Sequence, residues 1–211
     1  MLLLWVKFVY NMNIRSNSNK AFLQQPFSLF IHLVLLGIVI LFCGLIAAYL
    51  FAGNQSVWVD FKLPNVFWLS SVFALGTSWT LKNMLKSYSL ESNKDVIRFL
   101  FIALSLSLLF LCCQWLGWRT MHNEGLDLSG SPSEAYVYVI SGLHALHVVV
   151  GVILIFFAII RSRKYLVDPA TSLVFFSDSG KELKLRLLAN YWHTIDFLWL
   201  FLFFAFLYRH A

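Results

Sequence analysis

The stretch SGLHALHVVVG, residues 141–151, lies inside a long apolar run from 134 to 160 and carries two histidines three residues apart. A run of that length crosses the hydrocarbon core of a bilayer as a helix, which takes about twenty residues. Imidazole is costly at membrane depth, so His144 and His147 require compensation by metal, haem, a proton pathway or a neighbouring helix. The first question is whether the rest of the chain is also built for a membrane.

It is. Hydrophobic residues make up 60% of the 211, charged residues only 12%, and mean hydropathy is +0.75. A soluble domain sits nearer half apolar and a quarter charged. Five segments are long enough to span: 27–51, 65–85, 96–117, 134–160 and 187–208. The second is diluted by Ser70, Ser71, Thr77, Ser78 and Thr80, whose hydroxyls are able to bond their own helix backbone. The runs are continuous instead of alternating, which argues against a closed barrel. The expected fold is an all-α integral membrane bundle of five transmembrane helices.

The net charge of +6 follows the same plan. Five spans place the N-terminus, the 82–98 loop and the 161–186 loop on one side. That side holds Lys7, Arg15, Lys20, Lys82, Lys86, Lys94, Arg98, Arg161, Arg163, Lys164, Lys181, Lys184 and Arg186; the other holds Lys62, Arg119 and Arg209. A split of 13 to 3 gives an inside N-terminus and an outside C-terminus. The basic charge is thus a topology signal, and no nucleic-acid partner is implied.

Residues 1–21 form a basic lead that makes a poor signal peptide, with Met12 as an alternative start; the bundle proper occupies 22–211. Pro26 suits the first turn of the first helix, where its missing N–H costs nothing. Gly37, Gly44 and Ala48 share one face of that helix, and Gly142 and Gly151 lie in the fourth, all suited to close helix approach. Cys43, Cys112 and Cys113 read as packing residues without a ligand pattern. Trp58 is placed to sit at the membrane interface. In the long 161–186 loop, the TSLVFF core is expected to add a small strand or to lie against a partner subunit.

With loops this short, any chemistry would come from inside the bundle. His32, His144, His147 and His193 fall in expected spans, with Asp196 as the one firmly intramembrane acid. His193 and Asp196 are three apart, so Asp196 is placed to accept from that imidazole. Haem ligation by histidines of the fourth and fifth helices is disfavoured, because their depths differ by roughly 5–10 Å. A proton relay would need a series of carboxylates through the membrane. The reading that remains is interhelical hydrogen bonding by His144, His147, His193 and Asp196, worth roughly 0.6–2 kcal/mol per contact. No catalytic, metal or cofactor-binding residue is expected. Trp192 and Trp199, seven apart, are expected to line a lipid cleft at the edge of the unit formed by helices four and five.

GLHALHVVVGVILI (142–155) followed by NYWHTIDFLWLFLFF (190–204) resembles the paired signature of subunit III of haem–copper oxidases, chiefly the cytochrome c oxidase subunit III family. The matching positions are Gly142, His144, His147, Val148 and Gly151, then Tyr191, Trp192, His193, Asp196, Trp199, Leu200 and Phe201. LPNVFWLSSVFALGTSWTLKNML (63–85) is similar to a further helix of that family. The resemblance runs from about residue 22 to the end, and the five spans are similar to the short bacterial form. There are two departures: Ile38 stands where the family usually carries a glutamate, and QWLGW, Gln114 to Trp118, replaces a pair that begins with glutamate. Roles of those carboxylates do not carry over.

The resemblance implies a non-catalytic subunit with no cofactor of its own, haem and copper being held by its partners. It implies packing on catalytic subunit I and other oxidase subunits, bound phospholipid, and support of aerobic electron transport coupled to proton translocation. The implied location is the bacterial inner membrane, with a respiratory supercomplex as a further setting. Rival readings are a quinol oxidase or nitric-oxide-reductase-associated homologue, a small ion-coupled transporter using Asp196, and a membrane haem protein. Against the transporter stands the absence of an inverted repeat.

Overall fold

The computed structural model describes residues 2–52, 61–126, 131–166 and 169–210, with side chains of the first helix described from Pro26 onward. The expected interface residue Trp58 lies outside the described residues. Six helices follow in order: α1 (Leu2–Ala52), α2 (Val66–Ser89), α3 (Asn93–Asn123), α4 (Pro132–Leu166), α5 (Pro169–Ser177) and α6 (Ser179–His210). The fold is all-α. Four helices are long and apolar enough to cross a membrane: Pro26–Ala52 of α1, Asn93–Asn123, Pro132–Tyr165 and Ser179–His210. The fifth expected span, α2, has the length, about 36 Å over 24 residues, but not the apolar composition.

Where the polar residues of α2 go explains that shortfall. Ser70, Ser71, Thr77 and Thr80 are buried, facing the bundle, while Trp68, Leu69, Val72, Leu75 and Trp79 are exposed. The inward hydroxyls return to their own helix: Ser70 and Ser71 to the Phe67 carbonyl at 2.8 and 2.9 Å, Thr77 to Phe73 at 3.0 Å and Thr80 to Gly76 at 2.7 Å. This satisfies each donor without a partner from another helix. The outward face alone is as apolar as that of its neighbours.

α2 and α3 form an antiparallel hairpin over a tight turn. Ser92 N–H donates to the Ser87 carbonyl and Glu91 N–H to that of Tyr88, both at 3.0 Å, closing the helix with paired reverse bonds. Glu91 holds φ of 55°, the left-handed region that this closure requires. Ser92 opens α3, its hydroxyl 2.7 Å from Asp95 in the first turn.

α6 is the central post, packed against α1, α2 and α4, with α3 between α2 and α4. Its large side chains recur at three- and four-residue steps, so Trp192, Ile195, Trp199, Leu202, Phe203 and Phe206 are all buried. From α1, the buried face is Leu35, Phe42, Ile46 and Tyr49. That register turns Gly37, Gly44 and Ala48 outward, and a Cβ at either glycine would meet nothing within 4 Å. The packing role expected of this stripe is therefore not served among the described residues, and a Cβ at Gly142 would likewise meet nothing within 4 Å. Gly151 is the opposite case: a Cβ there would lie 2.7 Å from the Trp192 indole and 3.1 Å from the Tyr191 ring. Gly117, not expected from sequence, is pressed just as closely by Phe67.

Three further expectations are corrected. Pro26 lies inside α1 instead of opening it, because nothing from Leu2 to Gln25 is a glycine or proline that would break the helix earlier. Cys43 and Cys112 are exposed, which leaves Cys113 as the one buried thiol. Of the two readings of the TSLVFF core, the strand is overturned: the segment lies in the helix α5, which packs on α4 and α6. Its docking is specific: Tyr88 at the end of α2 donates to the Phe175 carbonyl at 2.8 Å, and Phe175 stacks on Tyr165 with centroids 6.0 Å apart.

Candidate functional site

Two polar clusters among the described residues are organised by α6. The first arises because His193 and Asp196, three residues apart, present to the same side, where α2 brings Ser78. The Ser78 hydroxyl donates to Asp196 Oδ2 at 2.6 Å, and His193 Nδ1 lies 3.0 Å from the same hydroxyl. A serine has a single proton, which goes to the carboxylate. His193 must then be the donor, Nδ1–H to Ser78 Oγ. The expected direct pairing of His193 with Asp196 is thus replaced by a bridge through Ser78. It joins α2 to α6, which an intrahelical pair would not.

The second cluster surrounds Trp199. Its indole N–H donates to Ser71 Oγ at 3.0 Å, tying α6 to α2. Its ring packs edge-on to Phe110 of α3 at 5.2 Å and lies 5.3 Å from the imidazole of His144 on α4. Phe110 and Phe42 complete the enclosure of His144, with centroids 5.8 and 6.2 Å away. Beside them, Gln114 of α3 donates to Ser70 Oγ at 3.3 Å. Where the resembled family carries an acid, this chain buries a neutral amide held by a serine. The other departure, Ile38, is half-buried and packs against the core one turn before Phe42.

The histidines of α4 do not bond across helices as expected. His144 is 1% exposed and its Nδ1 has no hydrogen-bond partner among the described residues, its neighbours being aromatic rings. His147 bonds Leu143 O of its own helix at 2.8 Å, with the Phe42 ring 5.6 Å away. It is the His147 backbone that reaches across, its carbonyl accepting the Tyr191 hydroxyl at 2.8 Å. His32 is exposed and bonds the Ser28 carbonyl at 2.7 Å. Among the described residues, no three His, Cys, Asp or Glu side chains converge as a metal site would require.

Trp192 and Trp199 are enclosed by protein, at 2% and 0% exposure, so neither lines a lipid-facing surface of this chain. The Trp192 indole is instead seated against Gly151. Sequence reasoning missed Ser71 and Ser78 as partners, having counted them only as dilution of an apolar run. Their signal was position: on α2 they lie seven apart, two turns of one helix face.

Gly151 of the first signature thus receives Tyr191 and Trp192 of the second, and the Tyr191 hydroxyl closes on His147. Two motifs separated by some forty residues meet as one joint.

Comparison with known proteins agrees with that geometry. Residues 1–211 match the family described as cytochrome c oxidase subunit III. A probable cytochrome c oxidase subunit 3 of Nocardia farcinica is 30% identical over 108 residues, 50% of this chain and 47% of the relative. The match thus spans about half that relative's length. Cytochrome c oxidase subunit 3 of Synechocystis is 26% identical over 171 residues, 77% of this chain and 67% of the relative. Quinol oxidase subunit 3 of Bacillus subtilis is 27% identical over 171 residues, 78% of each chain. Carried by a match along its whole length and by the meeting of its two signature helices, the chain belongs to the cytochrome c oxidase subunit III family.

Proposed function

We propose that the chain is the non-catalytic subunit III of a bacterial haem–copper terminal oxidase. It packs on the catalytic subunit in the inner membrane and supports electron transport coupled to proton translocation. The observation that carries this reading is the joint of α4 and α6, where Gly151 seats Trp192 and Tyr191 closes on the His147 carbonyl. Haem and copper belong to the partner subunits, phospholipid is bound at the outer faces of the bundle, and this chain's task is mechanical.

The proposal includes five spans, with the N-terminus inside and the C-terminus outside. The inverted arrangement of α2, apolar outward and hydroxyl inward, supports counting it as the fifth. The 13-to-3 division of Lys and Arg supports the direction.

Purification of the native complex through a tag on this chain tests the function. A haem–copper subunit I should co-migrate; its absence from an otherwise intact preparation rejects the reading. A reporter at Ala211 that is active only in the cytoplasm rejects the topology. A quinol oxidase is the second reading, favoured by the similarity to the Bacillus subtilis quinol oxidase subunit 3. The donor that the purified complex oxidises, reduced cytochrome c or a quinol, separates the two.

A further inference from the structure

The chain places a level marker on α4. Its exposed side chains change from Phe156, Phe157 and Ile160 to Arg161, Arg163 and Lys164 within about one turn. An apolar-to-basic change of that sharpness on a membrane helix marks the boundary between acyl chains and headgroups. α5 begins at Pro169, five residues beyond Lys164, and is held at this same level from several sides. Tyr88 of α2 bonds its Phe175 carbonyl at 2.8 Å, and Tyr165 of α4 stacks on the Phe175 ring. Lys181 at the start of α6 sits 3.9 Å over the Tyr165 ring and 5.2 Å over the Phe175 ring.

With Ser172 and Phe175 buried against the bundle, the helix turns Leu173 and Val174 the other way, 64% and 63% exposed. The segments that flank α5 in sequence carry exposed cations. Arg186 pairs with Glu182 at 2.6 Å, but Arg161, Lys164 and Lys184 have no acidic partner among the described residues. An apolar pair at the acyl boundary under free positive charge is what an interfacial helix needs. The apolar side enters the leaflet and the cations meet anionic headgroups.

We propose that α5 is a membrane-surface anchor, with Leu173 and Val174 inserted among the acyl chains and Arg161, Lys164 and Lys184 binding anionic lipid headgroups. The occupant of this face is lipid, not a protein partner: the complementary charge available at that level is the headgroup layer. Docked through Tyr88 and Lys181, the anchor fixes the loop between α4 and α6 at one depth. This draws only on the membrane-spanning reading of α4, and neither oxidase membership nor the direction of insertion enters it.

The test uses the full chain in nanodiscs, with Cys43, Cys112 and Cys113 replaced by alanine and an environment-sensitive fluorophore on Leu173→Cys. Lipids brominated high on the acyl chain should remove fluorescence in proportion to their fraction. The same dye on Glu91→Cys, at the α2–α3 turn, should be unaffected. Fluorescence at position 173 that ignores bromolipid overturns the proposal. So does quenching by bromolipid in the isolated chain that disappears in the assembled complex, because a protein then covers the face. Should the cysteine-free background not fold, a photo-crosslinking leucine analogue at 173 of the unaltered chain gives the same answer. Adducts to phosphatidylglycerol are expected, and adducts only to polypeptide refute it. Neutralising Arg161, Lys164 and Lys184 together with glutamine should abolish the preference of those adducts for phosphatidylglycerol over phosphatidylcholine. An unchanged preference overturns the headgroup assignment.

Discussion

The hydroxyl of Ser78 stands between two ionisable groups of another helix, 2.6 Å from Asp196 and 3.0 Å from His193. Both bonds depend on one small side chain, and Asp196 is 5% exposed, with little access to water as a substitute. Ser78→Ala is expected to cost about 1–3 kcal/mol, the penalty of leaving a buried polar group unpaired. Within a complex this should appear as reduced retention of the subunit at unchanged haem and copper per catalytic subunit. Ser78→Thr keeps the hydroxyl and should retain most of the binding. Loss of a haem band with the subunit fully retained would show that the cluster is ligand chemistry instead.

Gly151 and Gly142 look alike in sequence and should behave differently. Alanine at 151 drives a methyl into the Trp192 indole, and overpacking of this kind costs about 1–3 kcal/mol. Alanine at 142 meets nothing within 4 Å, nor does alanine at Gly37. Thermal unfolding in detergent should therefore drop for the 151 variant and stay near the parent for the other two. Equal losses at 142 and 151 would contradict the packing described.

Glu91 is the one described non-glycine residue with positive φ, at 55°. A residue with a Cβ resists that conformation and glycine does not, so Glu91→Gly should stabilise the α2–α3 hairpin by about 0.5–1 kcal/mol. A raised midpoint of thermal unfolding is the expected outcome. Glu91→Val should lower it, since a β-branched residue fits this region worst.

Tyr88 couples α5 to alkaline pH. Burial, with Glu182 and Asp178 nearby, pushes its phenol up from 10.0 to about 12. The folded state therefore keeps a proton that the unfolded chain releases first. Stability linked to this group is full below pH 10 and declines as pH rises from 10 toward about 12. In that window undocking of α5 releases the Tyr88 proton, so docking weakens progressively as pH rises, measured as more frequent opening of α5 in hydrogen exchange. Tyr88→Phe should lose the bond at every pH and so show no added step there.

Composition and charge made the membrane class and the principal helices legible, because burial in lipid forces long apolar runs and leaves basic residues at their ends. Gly151 was legible as a close contact, but its likeness to Gly37 and Gly44 was misleading. Small side chains announce that an approach is permitted, and no helix among the described residues uses the face opposite Leu35, Phe42 and Tyr49. The histidines were legible as buried polar groups, yet not by partner. Whether His144 meets a carbonyl or the rings of Phe42, Phe110 and Trp199 depends on how three other helices rotate, and a single-helix pattern does not contain that. Ser71 and Ser78 were hidden for the same reason.

The inverted face of α2 bears on how the protein is made. A segment is admitted from the insertion channel into lipid by its overall apolarity, and the serines and threonines of α2 weigh against it until Gln114, Asp196 and Trp199 are beside it. α3, the next segment synthesised, is strongly apolar and packs along α2. Of these partners α3 brings Gln114 first and α6 the others later, so α2 is expected to enter the bilayer as half of a hairpin with α3. A nascent chain halted after α2 should be extracted from membranes by alkaline carbonate, whereas one halted after α3 should resist it.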